Sequence, residues 1–191
     1  RKRLHLSGPT EAGVVTSIVR YEPGASFHLH EHPDGEEILV LEGTFSDEHG
    51  DSPAGTYLLN PEGFSHAPFS REGCVLFVKL RQFPGKRMHV CLDTLGVNWM
   101  PGSVLSAAFD NGVDGDGAAD ASEQVRIKRL YDSAEFSDRT VIEKWPPGTR
   151  SSHAGALELL VLSGTLNCEG HELNAWAWMR HPHGCAAQLH S

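Results

Sequence analysis

The sequence lacks long apolar runs and clusters of basic residues. Apolar stretches such as residues 38–41 and 74–78 are far shorter than the roughly 18 residues that a membrane-spanning helix needs. The 25 acidic residues outnumber the 16 basic ones and give a formal net charge of -9. Because phosphate binding requires clustered Lys and Arg, this charge balance argues against nucleic acid. We therefore expect neither a membrane nor a nucleic acid as a partner.

Cysteine is scarce, and no leader peptide is visible. The four cysteines show none of the paired spacing of zinc or redox motifs and are too few for a disulfide scaffold. We interpret them as reduced, mostly buried thiols of a cytoplasmic protein: Cys74, Cys91, Cys168 and Cys185. The basic residues 1–3 are not followed by an apolar segment, which argues against a signal peptide. Because the sequence has no initiator Met, we expect the native N-terminus to lie outside it.

Long helical periodicity is absent as well. Instead, 20 Gly and 11 Pro punctuate short apolar runs, a pattern typical of many short strands separated by turns. The candidate strands are residues 14–21, 26–31, 36–41, 56–60, 74–81, 125–131, 140–145, 157–162 and 176–180. The sequence therefore predicts an all-β sandwich or barrel. Residues 110–124, rich in Asp, Gly, Ala and Ser, are predicted to be a flexible loop or linker.

An internal repeat divides the chain. A shift of 121 positions aligns His32 with His153, Glu37 with Glu158, Gly43 with Gly164, Pro61 with Pro182, and Gly63 with Gly184. Because this spacing is kept without a gap, we interpret the chain as two copies of one β unit. The predicted boundaries are a first domain at residues 1–83, a linker at 84–124 and a second domain at 125–191.

Three histidines stand at alternate positions in the first copy. His28, His30 and His32 occupy alternate positions, so on a strand the three imidazoles share one face at about 7 Å per pair. Glu36 follows after a turn, and His66 lies further along the same copy. Several neutral imidazoles buried beside a carboxylate leave polar groups unpaired, whereas a divalent ion satisfies them together. The pattern therefore indicates a metal site.

Two spacings in this copy resemble the motifs of the cupin superfamily. The first comprises Gly24, His30, His32, Glu36 and Gly43, and the second comprises Gly55, Pro61, Gly63 and His66, with Ser70 where the motif usually has Asn. The resemblance implies two tandem double-stranded β-helix barrels, also called jelly rolls. It also implies one divalent metal ion bound by His30, His32, Glu36 and His66, with His28 facing the pocket behind the ligands or against a substrate.

Residues 35–48 and 73–80 resemble the cupin domain of ChrR-type anti-sigma factors. In that family the cupin holds zinc, and a separate N-terminal helical domain with its own His and Cys zinc site clamps an extracytoplasmic-function sigma factor during the response to singlet oxygen. Residues 1–191 contain no such helical domain and no Cys-x-x-Cys. The resemblance implies a zinc-binding sensory or regulatory protein of stress-responsive transcription, with a sigma factor as partner if that domain precedes Arg1.

The same donor set leaves a second function open. Zinc closes a four-coordinate site without redox chemistry, whereas iron, manganese or nickel favour six-coordination with open positions for a chelating substrate and dioxygen. The alternative is a metal-dependent cupin dioxygenase acting on a diketone-like or phenolic substrate, with Phe45, Tyr57 and Phe64 as pocket walls. A sugar-binding or isomerase cupin ranks last, because nothing in the sequence points to a sugar. For each reading we expect a small-molecule ligand in the barrel.

The second copy has lost this donor set. Its matching positions hold Ser151, His153, Leu157 and Ala187, so one possible ligand of four remains. Because a leucine in place of the carboxylate favours apolar packing, we interpret this copy as a degenerate, metal-free cupin domain. Apolar strands at barrel edges often pair, so we also expect a homodimer.

Overall fold

The computed structural model describes residues 1–10, 12–102, 124–182 and 186–191, and every regular element in these ranges is a β-strand. The strands are β1 (Lys2–Ser7), β2 (Val14–Tyr21), β3 (Ala25–Ser26), β4 (His30–His32), β5 (Glu36–Asp47), β6 (Gly50–Pro53), β7 (Thr56–Asn60), β8 (Phe64–His66), β9 (Phe69–Ser70), β10 (Cys74–Leu80), β11 (Val90–Asp93), β12 (Met100–Pro101), β13 (Arg126–Asp132), β14 (Arg139–Lys144), β15 (Arg150–Ala154), β16 (Leu157–Leu160), β17 (Thr165–Cys168), β18 (His171–Asn174), β19 (Trp178–His181) and β20 (Ala186–His190). The predicted all-β class is confirmed for this part of the chain. No described residue lies in a helix that could cross a membrane.

The chain divides into two compact units. Unit 1 comprises Arg1–Asn98 and Arg129–Thr140, and unit 2 comprises Trp99–Lys128 and Val141–Ser191. Strand β11, whose residues lie in the segment predicted as the linker, pairs with β7 inside unit 1. The loop predicted at residues 110–124 falls, except for its last residue, outside the described residues.

An antiparallel sheet in the order β1-β2-β10-β5-β7-β11 forms the main part of unit 1. Successive side chains of β5 point to opposite faces, so Glu36 shares one face with Ile38 and Val40. That face packs into an apolar core whose buried members are Ile38, Val40, Phe45, Leu58, Cys74, Leu76 and Val78. Glu36 therefore places a carboxylate at one end of an apolar interior.

The opposite face of β5 carries Glu37, which is also buried. Its Oε1 accepts hydrogen bonds from the Tyr57 hydroxyl at 2.7 Å and from the Thr140 hydroxyl at 2.6 Å. Its Oε2 lies 3.2 Å from Lys79 Nζ. Both oxygens are thus partnered, which is what a carboxylate needs in order to be tolerated in an interior.

Unit 2 contains a four-stranded sheet in the order β15-β20-β17-β18 and the separate strand pair β16–β19. After the shift of 121 residues, β16–β19 has the same register as β5–β7. Leu157 faces His181 and Leu160 faces Trp178, at the positions where Glu36 faces Asn60 and Leu39 faces Tyr57 in unit 1. This is the register that an internal repeat requires.

Candidate metal centre

Short strand pairing brings the predicted ligands of unit 1 together. Strand β4 pairs with β8 so that His30 lies directly opposite His66. A turn through Gly35 then returns the chain to Glu36 at the start of β5. Gly35 has a φ of 73°, and a Cβ atom there would lie 2.9 Å from the Phe83 carbonyl oxygen. The turn therefore requires glycine, both for its left-handed backbone and for this close approach.

The nitrogen and oxygen atoms of these side chains converge on one point. The ligand-type atoms of His30, His32 and His66 all lie within 4.8 Å of one another. His32 Nε2 lies 3.0 Å from His66 Nε2. Glu36 Oε2 lies 3.3 Å from the former nitrogen and 3.6 Å from the latter. His32, Glu36 and His66 are buried, whereas His30 is exposed.

These separations can be compared with the dimensions of a metal site. An ion that binds imidazole at about 2.0–2.1 Å separates neighbouring donor atoms by about 2.9 Å in an octahedron and by about 3.3 Å in a tetrahedron. The three distances among His32, Glu36 and His66 run from 3.0 to 3.6 Å. The His30, His32 and His66 group could therefore hold a metal ion, and Glu36 lies within the same cluster.

Hydrogen bonds behind the cluster orient its side chains. The Nδ1 atom of His30 lies 2.8 Å from the His28 carbonyl oxygen, which can only accept, so Nδ1 is the donor. The Nδ1 atom of His66 lies 3.1 Å from Asp47 Oδ2. Asn60 donates from Nδ2 to Glu36 Oε2 at 3.0 Å. When Nδ1 carries the proton in a neutral imidazole, Nε2 keeps its lone pair for a metal.

Burial controls the ionisation of this cluster. Burial, together with the neighbouring His66 and His30, lowers the pKa of His32 to about 3. Burial also lowers the pKa of His66, although the hydrogen bond to Asp47 acts in the opposite direction. The pKa of the Glu36 carboxyl is raised by burial to about 7, against the opposing effect of Asn60. The buried imidazoles are therefore neutral donors beside a carboxyl that would ionise more easily next to a cation.

Comparison with known proteins finds a family model that matches the part of the chain containing this site. Residues 1–84 match the family model described as the ChrR cupin-like domain. This match covers 84 of the 191 residues, so the likeness to the ChrR cupin-like domain concerns the first part of the chain. No curated protein matches the sequence.

Solved structures extend the fold comparison beyond the ChrR cupin-like domain. A candidate dioxygenase from Nostoc punctiforme PCC 73102 has a TM-score of 0.72 at 14% identity, over 99% of this chain and 68% of that one. The bacterial pirin YhhW of Escherichia coli in complex with nickel(II) has a TM-score of 0.53 at 16% identity, over 93% and 76%. Rhodobacter sphaeroides SigE in complex with the anti-sigma ChrR is 24% identical over 38% and 41%, with a TM-score of 0.34 that is too low to support a structural argument. The first two likenesses concern the fold alone, and together with the match of residues 1–84 they support a cupin-like fold.

The predicted pocket residues of the ChrR cupin-like domain lie in different places. The rings of Phe45 and Phe64 are centred 5.9 Å and 5.7 Å from the ring of His66. The side chain of His28 is exposed, and its carbonyl oxygen is the atom that contacts His30. The Tyr57 hydroxyl bonds Glu37, on the face of β5 opposite to the cluster. The structure thus brings the two phenylalanines to the site and directs the tyrosine elsewhere.

Asp47 and Asn60 were not identified from the sequence, although both contact predicted ligands. Each is the last residue of a strand whose apolar side chains enter the core. A polar residue that continues the inward alternation at a strand end is the signal that could have found Asn60. Asp47 follows a register irregularity in β5, so simple alternation would not have found it.

The matching positions of unit 2 contain no comparable donor set. His153 Nε2 lies 3.5 Å from the Ser151 hydroxyl, whereas Leu157 and Ala187 belong to an apolar cluster. The pairing of β15 with β20 also differs by two residues from that of β4 with β8, because Ala187 faces His153. Within the described residues, the ChrR cupin-like domain holds the one group of three or more metal-binding side chains.

Proposed function

We propose that this protein is a metal-binding cupin of the ChrR type with a sensory or regulatory role in the transcriptional response to oxidative stress. The convergence of His32, His66 and Glu36 donor atoms within 3.6 Å, inside residues that match the ChrR cupin-like domain, carries the proposal. In this proposal His30, His32, Glu36 and His66 bind one zinc ion. Zinc would supply a closed, redox-inactive centre of net charge near +1.

The arrangement of the cluster suggests how a signal reaches it. His30 is exposed whereas the other three side chains are buried, so a small molecule or oxidant meets the centre on the His30 side. Glu36 lies next to Glu37 on β5, and Glu37 holds Tyr57 and Thr140 on the opposite face. A change at Glu36 would therefore displace β5. Through Glu37, this strand is hydrogen-bonded to Tyr57 on β7 and to Thr140 on β14.

The partner and the domain arrangement belong to the same proposal. We place the protein in the cytoplasm, a location supported by the free thiols of Cys74, Cys91 and Cys168. An extracytoplasmic-function sigma factor is the proposed partner, and residues 125–191 are proposed to be a second, metal-free cupin barrel. The coding sequence upstream of Arg1 tests the partner: a helical domain with His and Cys ligands supports sigma binding, and its absence refutes it.

A metal-dependent dioxygenase is the second candidate function. It is favoured by the exposure of His30, which leaves one side of the centre accessible, and by the two aromatic rings of Phe45 and Phe64 beside His66. These groups suit a flat diketone-like or phenolic substrate that chelates the ion. Iron, manganese or nickel would then replace zinc, because such ions accept additional ligands.

Elemental analysis of the purified protein separates the two functions. One zinc per chain supports the sensory protein, whereas iron together with oxygen uptake on a diketone supports the dioxygenase. We expect His66→Ala to lower the metal content strongly, because it removes a buried donor. His153→Ala is the matched control. His153 occupies the position in unit 2 that corresponds to His32, and its replacement should leave the metal content unchanged. Full metal occupancy in His66→Ala would refute the ligand assignment.

A further inference from the structure

The Asp47 carboxylate stands directly behind the proposed ligand His66. Its Oδ2 lies 3.1 Å from His66 Nδ1, and its Oδ1 accepts the backbone N–H of His49 at 2.8 Å. Asp47 ends β5 and pairs with Gly50 in the hairpin to β6, so its backbone is fixed by the sheet. The carboxylate is therefore held in place by contacts that do not involve the metal cluster.

The imidazole of His66 has two competing neutral forms. With the proton on Nδ1, the hydrogen bond goes to Asp47, and Nε2 presents a lone pair to the cluster. With the proton on Nε2, that atom would donate to His32 Nε2 at 3.0 Å, and it could not bind a metal. The group that contacts Nδ1 decides between the two forms, because a carboxylate can accept a hydrogen bond from Nδ1–H but cannot donate one to Nδ1.

We propose that Asp47 is the positioning residue of the metal centre: it selects the Nδ1-protonated form of His66 and thereby prepares Nε2 to bind the ion. This inference rests on the proposed metal-binding function. Unit 2 provides a parallel, because the repeat places Cys168 at the position of Asp47 and Ala187 at the position of His66. The histidine and the residue behind it are thus both replaced in the copy without a donor set.

The test compares Zn²⁺ affinity in the wild-type protein and three variants, measured by chelator competition. We expect Asp47→Asn to weaken Zn²⁺ binding about 10–100-fold, the usual cost of losing such a partner, and His66→Ala to weaken it more. Asp51→Asn is the matched control. Asp51 lies on the same hairpin and accepts the Ser46 hydroxyl at 2.6 Å, but it does not contact a proposed ligand. The Zn²⁺ affinity of Asp51→Asn should stay within twofold of that of the wild-type protein.

A spectroscopic readout separates positioning from a structural role. In imidazole ¹⁵N spectra of the metal-free protein, we expect wild-type His66 to carry its proton on Nδ1 and Asp47→Asn to shift His66 towards the Nε2-protonated form. Should Asp47→Asn fail to fold, the wild-type spectrum alone decides, since a proton on Nε2 overturns the inference. Unchanged Zn²⁺ affinity in Asp47→Asn with weakened binding in His66→Ala overturns the inference and leaves the metal centre intact. Wild-type affinity in His66→Ala overturns the metal centre itself.

Discussion

Metal binding should release a proton from Glu36 in mildly acidic solution. This carboxyl is buried beside His32 and His66, and burial raises its pKa to about 7 in the metal-free protein. A carboxyl must lose its proton to bind a metal ion. Because its pKa is raised, Glu36 carries a proton below about pH 7 and competes there with the ion. His32 adds no proton in this range, because its pKa is lowered to about 3.

The size of this effect follows from the pKa. Each pH unit well below about 7 lowers the ionised fraction of Glu36 about tenfold and costs metal binding about 1.4 kcal/mol. The apparent Zn²⁺ affinity should therefore fall roughly fivefold between pH 7 and pH 6, with nearly one proton released per ion at pH 6. Above about pH 8 Glu36 is almost fully ionised, and its contribution to the pH dependence disappears.

Isothermal titration calorimetry in two buffers with different ionisation enthalpies measures both quantities. Glu36→Gln should bind Zn²⁺ more weakly and should lose the proton release attributed to this side chain. Glu42→Gln changes an exposed carboxylate on the same strand and is the matched control. An affinity that stays constant from pH 8 to pH 6, without proton release, would refute both the raised pKa and the role of Glu36 as a ligand.

Two further predictions concern stability in urea unfolding. Tyr57→Phe removes a hydroxyl that donates to the buried Glu37 carboxylate, and it should lower the free energy of unfolding by about 1.5–3 kcal/mol; no loss would mean that water replaces the hydroxyl. Gly43→Ala should cost more than Gly164→Ala at the repeat-related position. Both glycines have φ above 70°, which costs alanine about 1–2 kcal/mol, but only at Gly43 would the new Cβ overlap the Gly73 carbonyl oxygen, at a further cost of about 1–3 kcal/mol. Equal losses at the two glycines would contradict this packing.

The histidine cluster could be predicted because its information is local. Alternation along one strand puts His30 and His32 on the same face, and the short pairing of β4 with β8 adds His66. The partners behind them could not be predicted in this way. Asn60 reaches Glu36 through the register of β5 with β7, and such a register is set by the packing of whole strands.

Strand register also explains why Tyr57, predicted as a pocket wall, lies on the face away from the cluster. A strand exposes its residues alternately to two faces, so a residue chosen for its chemistry alone has an even chance of facing the site. On β7 the residue that reaches a proposed ligand is Asn60, whose parity it shares with Leu58. Tyr57 has the opposite parity and meets Glu37. The sequence alone does not show which alternate residues of β7 face the histidine cluster and which face the opposite side.

The limits of unit 1 depend on contacts far apart in sequence. Arg87 is buried and makes two hydrogen bonds of 2.8 Å to Asp138, with a third to the Tyr131 hydroxyl at 3.1 Å. Its guanidinium also lies 3.8 Å from the centre of the Phe136 ring. These contacts tie residues 129–140 to the first unit. Composition marks where a chain loses its apolar residues, but it cannot tell which unit a following segment joins.

The adjacent carboxylates Glu36 and Glu37 of β5 differ in whether unit 2 keeps a carboxylate at the corresponding position. Glu37 accepts the Tyr57 hydroxyl, and its counterpart Glu158 accepts the Trp178 indole N–H at 3.0 Å in the same register. The inward neighbour Glu36 has no such counterpart, because Leu157 occupies its position and packs in an apolar cluster. The outer carboxylate therefore serves the architecture that both units share. The inner carboxylate is dispensable for that architecture, so its burial in unit 1, at the cost of a raised pKa, is best explained by the ion that it is proposed to bind.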